Sequence, residues 1–153
     1  MKLVVEINNL SNCRIGEDFF ISVIKEALKV SDYDFLREKK VSLSVALVKP
    51  EEIKQLNKKY RRKNSVTDVL SFAEYKNRAS LTKVGEKEMF LGELILCYND
   101  IKEYAKMNGQ NVKRELALVV SHGLFHLLGF SHGKKMFQLQ RIVAQRIVAV
   151  AGK

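Results

Sequence analysis

Residues 121–132 read SHGLFHLLGFSH and contain all three histidines of the 153-residue chain. His122 and His126 are four residues apart, so on a helix their imidazoles lie on one face, one turn apart. Gly129 follows and can end the helix in a left-handed conformation, after which the chain can return His132 as a third nitrogen ligand. Three imidazoles with an open fourth position are typical of a catalytic zinc site. The spacing therefore predicts one zinc ion per chain, held by His122, His126 and His132.

The helix that carries these histidines is predicted to be buried. Apolar residues occupy nearly every side of a helix drawn over residues 112–128, among them Leu116, Val120 and Leu124. A helix that is apolar all round belongs in a protein core. The plain alternative, ordinary histidines on an apolar helix, does not account for the collection of every histidine into one short stretch. We expect this helix to be the central helix of the fold.

Hydrophobic periodicity elsewhere in the chain predicts an α+β domain. Alternating or β-branched stretches predict four strands, at residues 2–7, 41–49, 66–73 and 90–98. Helical spacing predicts helices that begin near Gly16, at Pro50, near Asn99 and at Lys134. The polar residues 74–88 are expected to form a long loop. The fold class expected is a small mixed four-stranded sheet packed with helices, whose buried central helix carries the three-histidine site in a zincin-like arrangement.

Length and composition narrow the class of protein. A chain of 153 residues is most simply one domain, spanning residues 1–153. It has no run of about 18 apolar residues, so no membrane span is expected. The N-terminal residues lack the pattern of a secretory signal, and a cytoplasmic location is expected. Cys13 and Cys97 fit no metal or redox spacing and are expected to be buried free thiols.

The charge of the chain points to a polyanionic partner. The formal net charge is +10, and residues 54–63 carry six positive charges and no negative one. A basic surface of this density attracts nucleic acid, with an affinity that falls as salt rises. A solvated basic surface without a partner is an equally weighted alternative from charge alone.

The histidine spacing also matches a class of protease, but one residue argues against proteolysis. In metzincins a glutamate follows the first histidine and serves as general base. Here that position is Gly123, which offers no carboxylate, and a metalloprotease is the less favoured hypothesis. A metal would still polarise a phosphoryl oxygen, and the planar guanidinium of Arg61 or Arg62 suits phosphate. A phosphodiester substrate joins the histidines and the basic segment in one account.

These residues resemble a known family. The run from His122 to His132 is similar to the signature of the YbeY family, bacterial endoribonucleases that act in ribosomal RNA maturation. Residues 56–61 with 67–72 resemble its second block, residues 91–95 resemble its third, and Met136, Phe137 and Gln140 resemble its ending. The resemblance implies a zinc ion on the three histidines, a functional arginine at Arg61, and a small α+β fold centred on the histidine-bearing helix.

Together, the residues and the resemblance predict a metal-dependent, single-strand-specific endoribonuclease. The expected partner is RNA, either a ribosomal RNA precursor or the small ribosomal subunit, with no membrane partner and no DNA specificity. Arg61 is the predicted catalytic phosphate contact, and the residues expected to contact the RNA are Lys58, Lys59, Arg61 and Arg62. The alternative is a non-catalytic, zinc-containing RNA-binding factor in ribosome assembly.

Several positions depart from the family pattern or have two interpretations. Ser131 stands where the family usually has aspartate, and residues 133–135 read GKK where acids are common. Asp68 either orients Arg61 or acts as a base, or it belongs to a turn. Glu115 lies seven residues before His122 and so on its face of the helix, as a hydrogen-bond partner of a ligand. It is alternatively a first-turn acid that stabilises the helix.

Overall fold

A computed structural model describes residues 1–151, so the last two residues of the expected domain lie outside the described part. The strands are β1 (Lys2–Asn9), β2 (Lys40–Leu47), β3 (Val69–Ala73) and β4 (Glu88–Leu96). The helices are α1 (Glu17–Ser31), α2 (Pro50–Arg61), α3 (Arg78–Thr82), α4 (Tyr98–Met107), α5 (Val112–Leu127) and α6 (Lys134–Ala151), with a short 3-10 turn at Asp34–Leu36.

The four strands form one mixed sheet in the order β1-β2-β4-β3. β1 and β4 run parallel to β2, and β3 is antiparallel to β4. The register between β2 and β4 shifts between Ser42 and Ser44, opposite Gly92, whose φ is 132°. A side chain at Gly92 would collide with the backbone carbonyl of Phe72, which explains why glycine stands where β3 approaches β4. The predicted fold class is confirmed.

The helix α5 lies at the centre of the core, as predicted. Its buried residues pack with α1, α6 and one face of the sheet in a single apolar cluster. The residues of α5 in that cluster that are fully buried are Leu116, Ala117, Val120, Leu124, Phe125 and Leu127. Burial covers most of the helix surface, and a stripe that includes His122 and His126 is only partly buried, so the core holds the direction of the helix and leaves the histidine side open.

The opposite face of the sheet is covered by α2. Ile53 of α2 packs with Leu70 of β3 and Ile95 of β4 in a second, smaller cluster. These strand residues alternate with neighbours that face α5, as the period of a strand requires. Cys97 belongs to the same small cluster, and both cysteines are free and buried, as expected.

Two local expectations are corrected. Residues 74–88 are not one long loop, because they contain α3, which begins after Asn77. The Asn77 side chain accepts a hydrogen bond from the backbone N–H of Ser80 at 2.9 Å, a helix cap that the polar composition concealed. The third strand begins at Val69, three residues later than expected.

Within residues 1–151, none of the helices combines the length and apolar character that a membrane crossing requires.

Candidate metal centre and its cleft

The three histidines converge at the C-terminal end of α5. The Nε2 atom of His126 lies 3.1 Å from that of His122 and 2.8 Å from that of His132, and the third separation is 3.3 Å. Nitrogens on a tetrahedral zinc ion, with bonds of about 2.0–2.1 Å, are about 3.3 Å apart. The three nitrogens can therefore reach one metal ion, and the donor set fits zinc in geometry and in chemistry.

The backbone positions of His122 and His126 are set by helix geometry. They stand one turn apart on α5, with ring centroids 4.6 Å apart. Their backbone belongs to the buried central helix, so neither ligand depends on a loop for its position. This arrangement follows directly from the four-residue spacing.

His132 arrives through a tight turn after α5. Gly129 adopts a left-handed conformation, with φ of 83°, as its place in the sequence predicted. Its N–H donates to the carbonyl of His126 at 3.0 Å, and the N–H of Phe130 donates to Phe125 at 2.9 Å. These bonds end the helix and turn the chain back, so that His132 faces the other two rings.

This turn is held from outside by residues that the sequence did not point to. The hydroxyl of Tyr33 donates to the carbonyl of Leu128 at 2.8 Å. The Tyr33 ring stacks on Phe130 with centroids 5.5 Å apart. The guanidinium of Arg78, in α3, lies over the Tyr33 ring, 4.6 Å from its centroid. A Cβ on Gly129 would lie 2.6 Å from the backbone nitrogen of Arg78, so the turn and α3 are in close contact.

The hydrogen-bond partner of His122 is Gln140 of α6. The Nδ1 of His122 donates to the amide oxygen of Gln140 at 2.9 Å, and Gln140 is buried. A proton held on Nδ1 leaves the lone pair of Nε2 directed at the centre of the three histidines. Such partners orient metal-binding histidines and raise their affinity for the ion.

Glu115 does not have the role considered for it beside the ligands. Its carboxylate lies 3.9 Å from Arg114, and with Asp68 and Asp100 it lines a separate pocket. Burial and the nearby Asp68 carboxylate raise the pKa of Asp100. Glu115 therefore fits its other interpretation, an acid in the first turn of the helix.

The electrostatics of the cluster favour a neutral His126. Burial lowers the pKa of His126 to about 4, and the neighbouring rings of His122 and His132 act in the same direction. A backbone hydrogen bond with Phe130 opposes them and is the smaller effect. At neutral pH the His126 ring is therefore unprotonated, which is the form that binds a cation.

Gly123 faces the sheet and not the metal centre. A Cβ at this position would lie 2.9 Å from Cδ2 of Leu94 and 3.2 Å from Cγ2 of Val69. The hydroxyl of Ser71 donates to the Gly123 carbonyl at 3.3 Å, so α5 packs closely against β3 and β4. A glutamate at residue 123 would meet the core of the protein. The position used by the protease base is thus closed by packing as well as lacking a carboxylate.

The three histidines stand at one side of an open cleft of about 630 Å³. The other side is built by the end of α2, the segment that leads into β3, and the β3 strand. The residues of these elements that line the cleft are Asn57, Arg61, Lys63, Ser65, Val66, Thr67, Asp68, Val69, Leu70 and Ser71. An extended ligand in this cleft would contact the histidines and the basic end of α2 at once.

Arg61 is aimed into the cleft by two contacts with β3. Its Nη2 donates to the carbonyl of Ser71 at 2.8 Å, and its guanidinium lies 4.9 Å from the centroid of the Phe72 ring. Asp68 lines the same cleft, and its carboxylate accepts a hydrogen bond from the Thr67 hydroxyl at 3.4 Å. The residue that positions Arg61 is therefore in the strand rather than at Asp68.

The other basic residues of this segment are arranged around the rim. Lys58, Lys59 and Arg62 are exposed and do not belong to the residues that line the cleft. Arg62 ends α2 in a left-handed conformation, with φ of 59°. Lys63, which belongs to the basic segment 54–63 but not to the four predicted RNA contacts, does line the cleft. The sequence located the basic surface but not which side chains face inward.

The family model and the three relatives described here carry the same family name. The family model described as Endoribonuclease YbeY matches residues 6–148. A protein of that name from Bacillus pumilus is 34% identical over 147 residues, covering 90% of this chain and 88% of the relative. Another, from Thermodesulfovibrio yellowstonii, is 33% identical over 165 residues and covers 96% and 99%. A third, from Staphylococcus saprophyticus, is 36% identical over 118 residues and covers 77% and 76%.

A solved structure agrees on the fold. The solution structure of a Thermotoga maritima protein superposes with a TM-score of 0.61, covering 97% of this chain and 91% of the other. The two sequences are 23% identical, and the likeness is one of fold alone.

Proposed function

The chain belongs to the YbeY family of endoribonucleases, and we propose that it cuts single-stranded RNA by zinc-dependent hydrolysis. His122, His126 and His132 are the proposed zinc ligands, and Arg61 is the proposed phosphate contact. The observation that carries the proposal is the shared cleft, which three convergent imidazole nitrogens and one guanidinium line together. A phosphodiester that spans this cleft meets both.

The choice of zinc rests on the donor set. Three neutral imidazoles suit zinc, and a site with three protein ligands leaves a coordination position open. A bound zinc ion supplies Lewis acidity at that open position. His132 is exposed and all three histidines line the cleft, so an ion held by them would be accessible to a ligand in the cleft. A closed structural site would need a fourth protein ligand, and for this reason we favour catalysis over the non-catalytic RNA-binding alternative.

Arg61 is proposed to hold the phosphate that is cut. A guanidinium carries five N–H donors, and Arg61 uses few of them in its bonds to the carbonyls of Tyr60 and Ser71. The remaining donors are available to a phosphate in the bidentate geometry that arginine favours. Lys58, Lys59 and Arg62 are proposed to attract the RNA backbone from the rim without sequence selectivity.

The proposed substrate is a ribosomal RNA precursor, free or bound to the small ribosomal subunit, and the proposed location is the cytoplasm. The family description supports an RNA substrate. The net charge of +10 favours binding to a polyanion such as RNA. We propose no membrane partner and no specificity for DNA. The domain of residues 1–153 is proposed to act as one unit.

The test is cleavage of end-labelled single-stranded RNA by protein loaded with zinc. His126→Ala and chelator-treated protein are expected to lose cleavage, and a duplex of the same sequence is expected to be cut slowly. Arg61→Lys should retain zinc but cut at a lower kcat/KM, since a point charge replaces the bidentate fork. Equal cleavage by the parent, by His126→Ala and by chelated protein would show that a different site, or a contaminant, is responsible.

A further inference from the structure

Phe137 is an exposed aromatic side chain beside the metal centre. It lies in the first turn of α6 and is 46% exposed. Its ring is inclined by only 26° to the ring of His122 and by 29° to that of His132, with centroid separations of 6.5 and 6.3 Å. Water contact over much of a phenyl ring is unfavourable, and Phe137 does not belong to either apolar cluster of the core.

The surroundings of Phe137 are basic. Lys134 and Lys135 precede it and are exposed, and α6 has no acid in its first turn. Positive side chains at the start of a helix oppose its dipole, so these lysines do not serve the stability of α6. Arg141, one turn later, donates from Nε to the carbonyl of Phe137 at 3.5 Å and adds a third positive charge. An exposed aromatic ring with cationic residues before and after it on the same helix is suited to single-stranded nucleic acid.

We propose that Phe137 is the platform on which one base of the RNA stacks, with Lys134 and Lys135 contacting the adjoining backbone phosphates. The inference rests on the proposed function for its substrate and adds a binding position that the cleft does not contain. His122 and His132 line the cleft and also face Phe137. A strand held by Arg61 at one end of the cleft would therefore cross the metal centre and leave over α6.

The geometry specifies a base rather than an apolar protein partner. The ring is flanked by charge, not by further exposed apolar side chains of its own turn. Stacking on an aromatic ring tolerates every base, because each base offers a π-face. The position thus gives affinity for an unpaired strand without sequence selectivity, and a duplex, whose bases are already stacked, cannot use it.

The absence of tryptophan from the chain provides a direct test of stacking. Phe137→Trp introduces a single fluorescent reporter, and Tyr104→Trp serves as the matched control. Tyr104 is also an exposed aromatic, but the pocket that it borders is lined by the acids Asp68, Asp100 and Glu115 and by no basic residue, so an RNA phosphate is not expected there. The zinc-loaded variants are mixed in stopped flow with a short single-stranded RNA, or with the same backbone carrying abasic sites, and recorded before cleavage.

We expect the intact RNA to quench the tryptophan at residue 137 and the abasic strand to quench it much less. The reporter at residue 104 should respond to neither. Equal quenching at residue 137 by both strands, or equal quenching at the two reporters, would overturn the proposal, because it would mean that no base contacts the ring. This readout does not depend on cleavage, so it remains decisive even if the parent protein cuts no RNA.

Steady-state cleavage provides the second test. Phe137→Leu should raise KM for single-stranded RNA by about 5- to 150-fold, the range expected for loss of one base–aromatic stack, while Phe137→Tyr stays near the parent. Ile142→Ala, another exposed apolar residue on α6, is the control and should change neither KM nor kcat. Elemental analysis should find unchanged zinc in every variant. An unchanged KM in Phe137→Leu, or a loss of zinc that accounts for its defect, contradicts the stacking role.

Discussion

The ligands of the candidate metal centre are built in two different ways. His122 and His126 stand on the buried helix α5, one turn apart, and the helix itself fixes their spacing. His132 stands on an exposed turn, and its position depends on contacts from the far parts of the chain at Tyr33 and Arg78. The positions of His122 and His126 on the backbone are thus set by local sequence, whereas the position of His132 is set by the tertiary fold.

The strongest way to break this comparison is to disturb the turn at Gly129. Gly129→Ala places a side chain at positive φ and against the backbone of Arg78, 2.6 Å away. We expect the free energy of unfolding of the metal-free protein to fall by more than about 2 kcal/mol, and zinc affinity to fall because His132 moves. Urea unfolding and zinc titration measure the two effects.

Gly109 supplies the matched control for that substitution. Its φ is also positive, at 62°, but a Cβ there has nothing within 4 Å. Gly109→Ala should therefore cost only the conformational strain, about 1 kcal/mol, and leave zinc affinity unchanged. If the two variants lost equal stability and bound zinc equally well, the contact between the turn and α3 would have no part in placing His132.

The orientation of His122, one of the two ligands on α5, is tested at Gln140. Gln140→Leu removes the acceptor for Nδ1 of His122 while keeping a buried side chain of similar size. Loss of such a partner lowers metal affinity by about 10- to 100-fold, which a competition titration with a chelator of known affinity would measure. Gln138→Leu, at an exposed position of the same helix, should bind zinc like the parent. Parent-like affinity in Gln140→Leu would mean that α5 alone orients His122.

The smallest effect is expected at Tyr33. Tyr33→Phe keeps the ring that stacks on Phe130 and removes only the hydroxyl that donates to Leu128. The buried carbonyl loses its partner, and stability should fall by about 1–2 kcal/mol, with a several-fold loss of zinc affinity. Thermal unfolding of metal-free and zinc-loaded protein separates the two effects. Tyr104→Phe, at an exposed tyrosine, is the control, and a Tyr33→Phe protein indistinguishable from it would remove Tyr33 from the account.

The same division explains what the sequence could predict. Helix spacing gave the two ligands on α5, and the place of Gly129 gave the turn, because both are local. The partners of these groups are not local, since Gln140 lies 18 residues from His122 and Tyr33 lies 95 residues from Leu128. The sequence named Gln140 only as part of the family resemblance, and its hydrogen bond with His122 depends on the packing of α5 on α6. Of the two interpretations of Glu115, the acid in the first turn of α5 fits the structure, and the partner of His122 comes instead from α6.

The residues that line the cleft were likewise only partly predictable from sequence. Sequence charge located the basic end of α2, but the side chains that face inward depend on where α2 ends and how β3 passes it. Arg61 is turned inward by Ser71 and Phe72, whereas Lys58, Lys59 and Arg62 remain on the rim. The short helix α3 was missed because its five residues carry little periodic signal. The Asn77 and Ser80 pair was the local sign that a capped helix begins there.

The central claim, that three imidazoles from a helix and a turn hold one zinc ion, is tested most directly by elemental analysis of the purified protein. The parent should contain about one zinc per chain, and His122→Ala, shown to be folded by circular dichroism, should contain little or none. A parent that binds no zinc when it is supplied, or a His122→Ala protein that retains the full amount, would contradict the account.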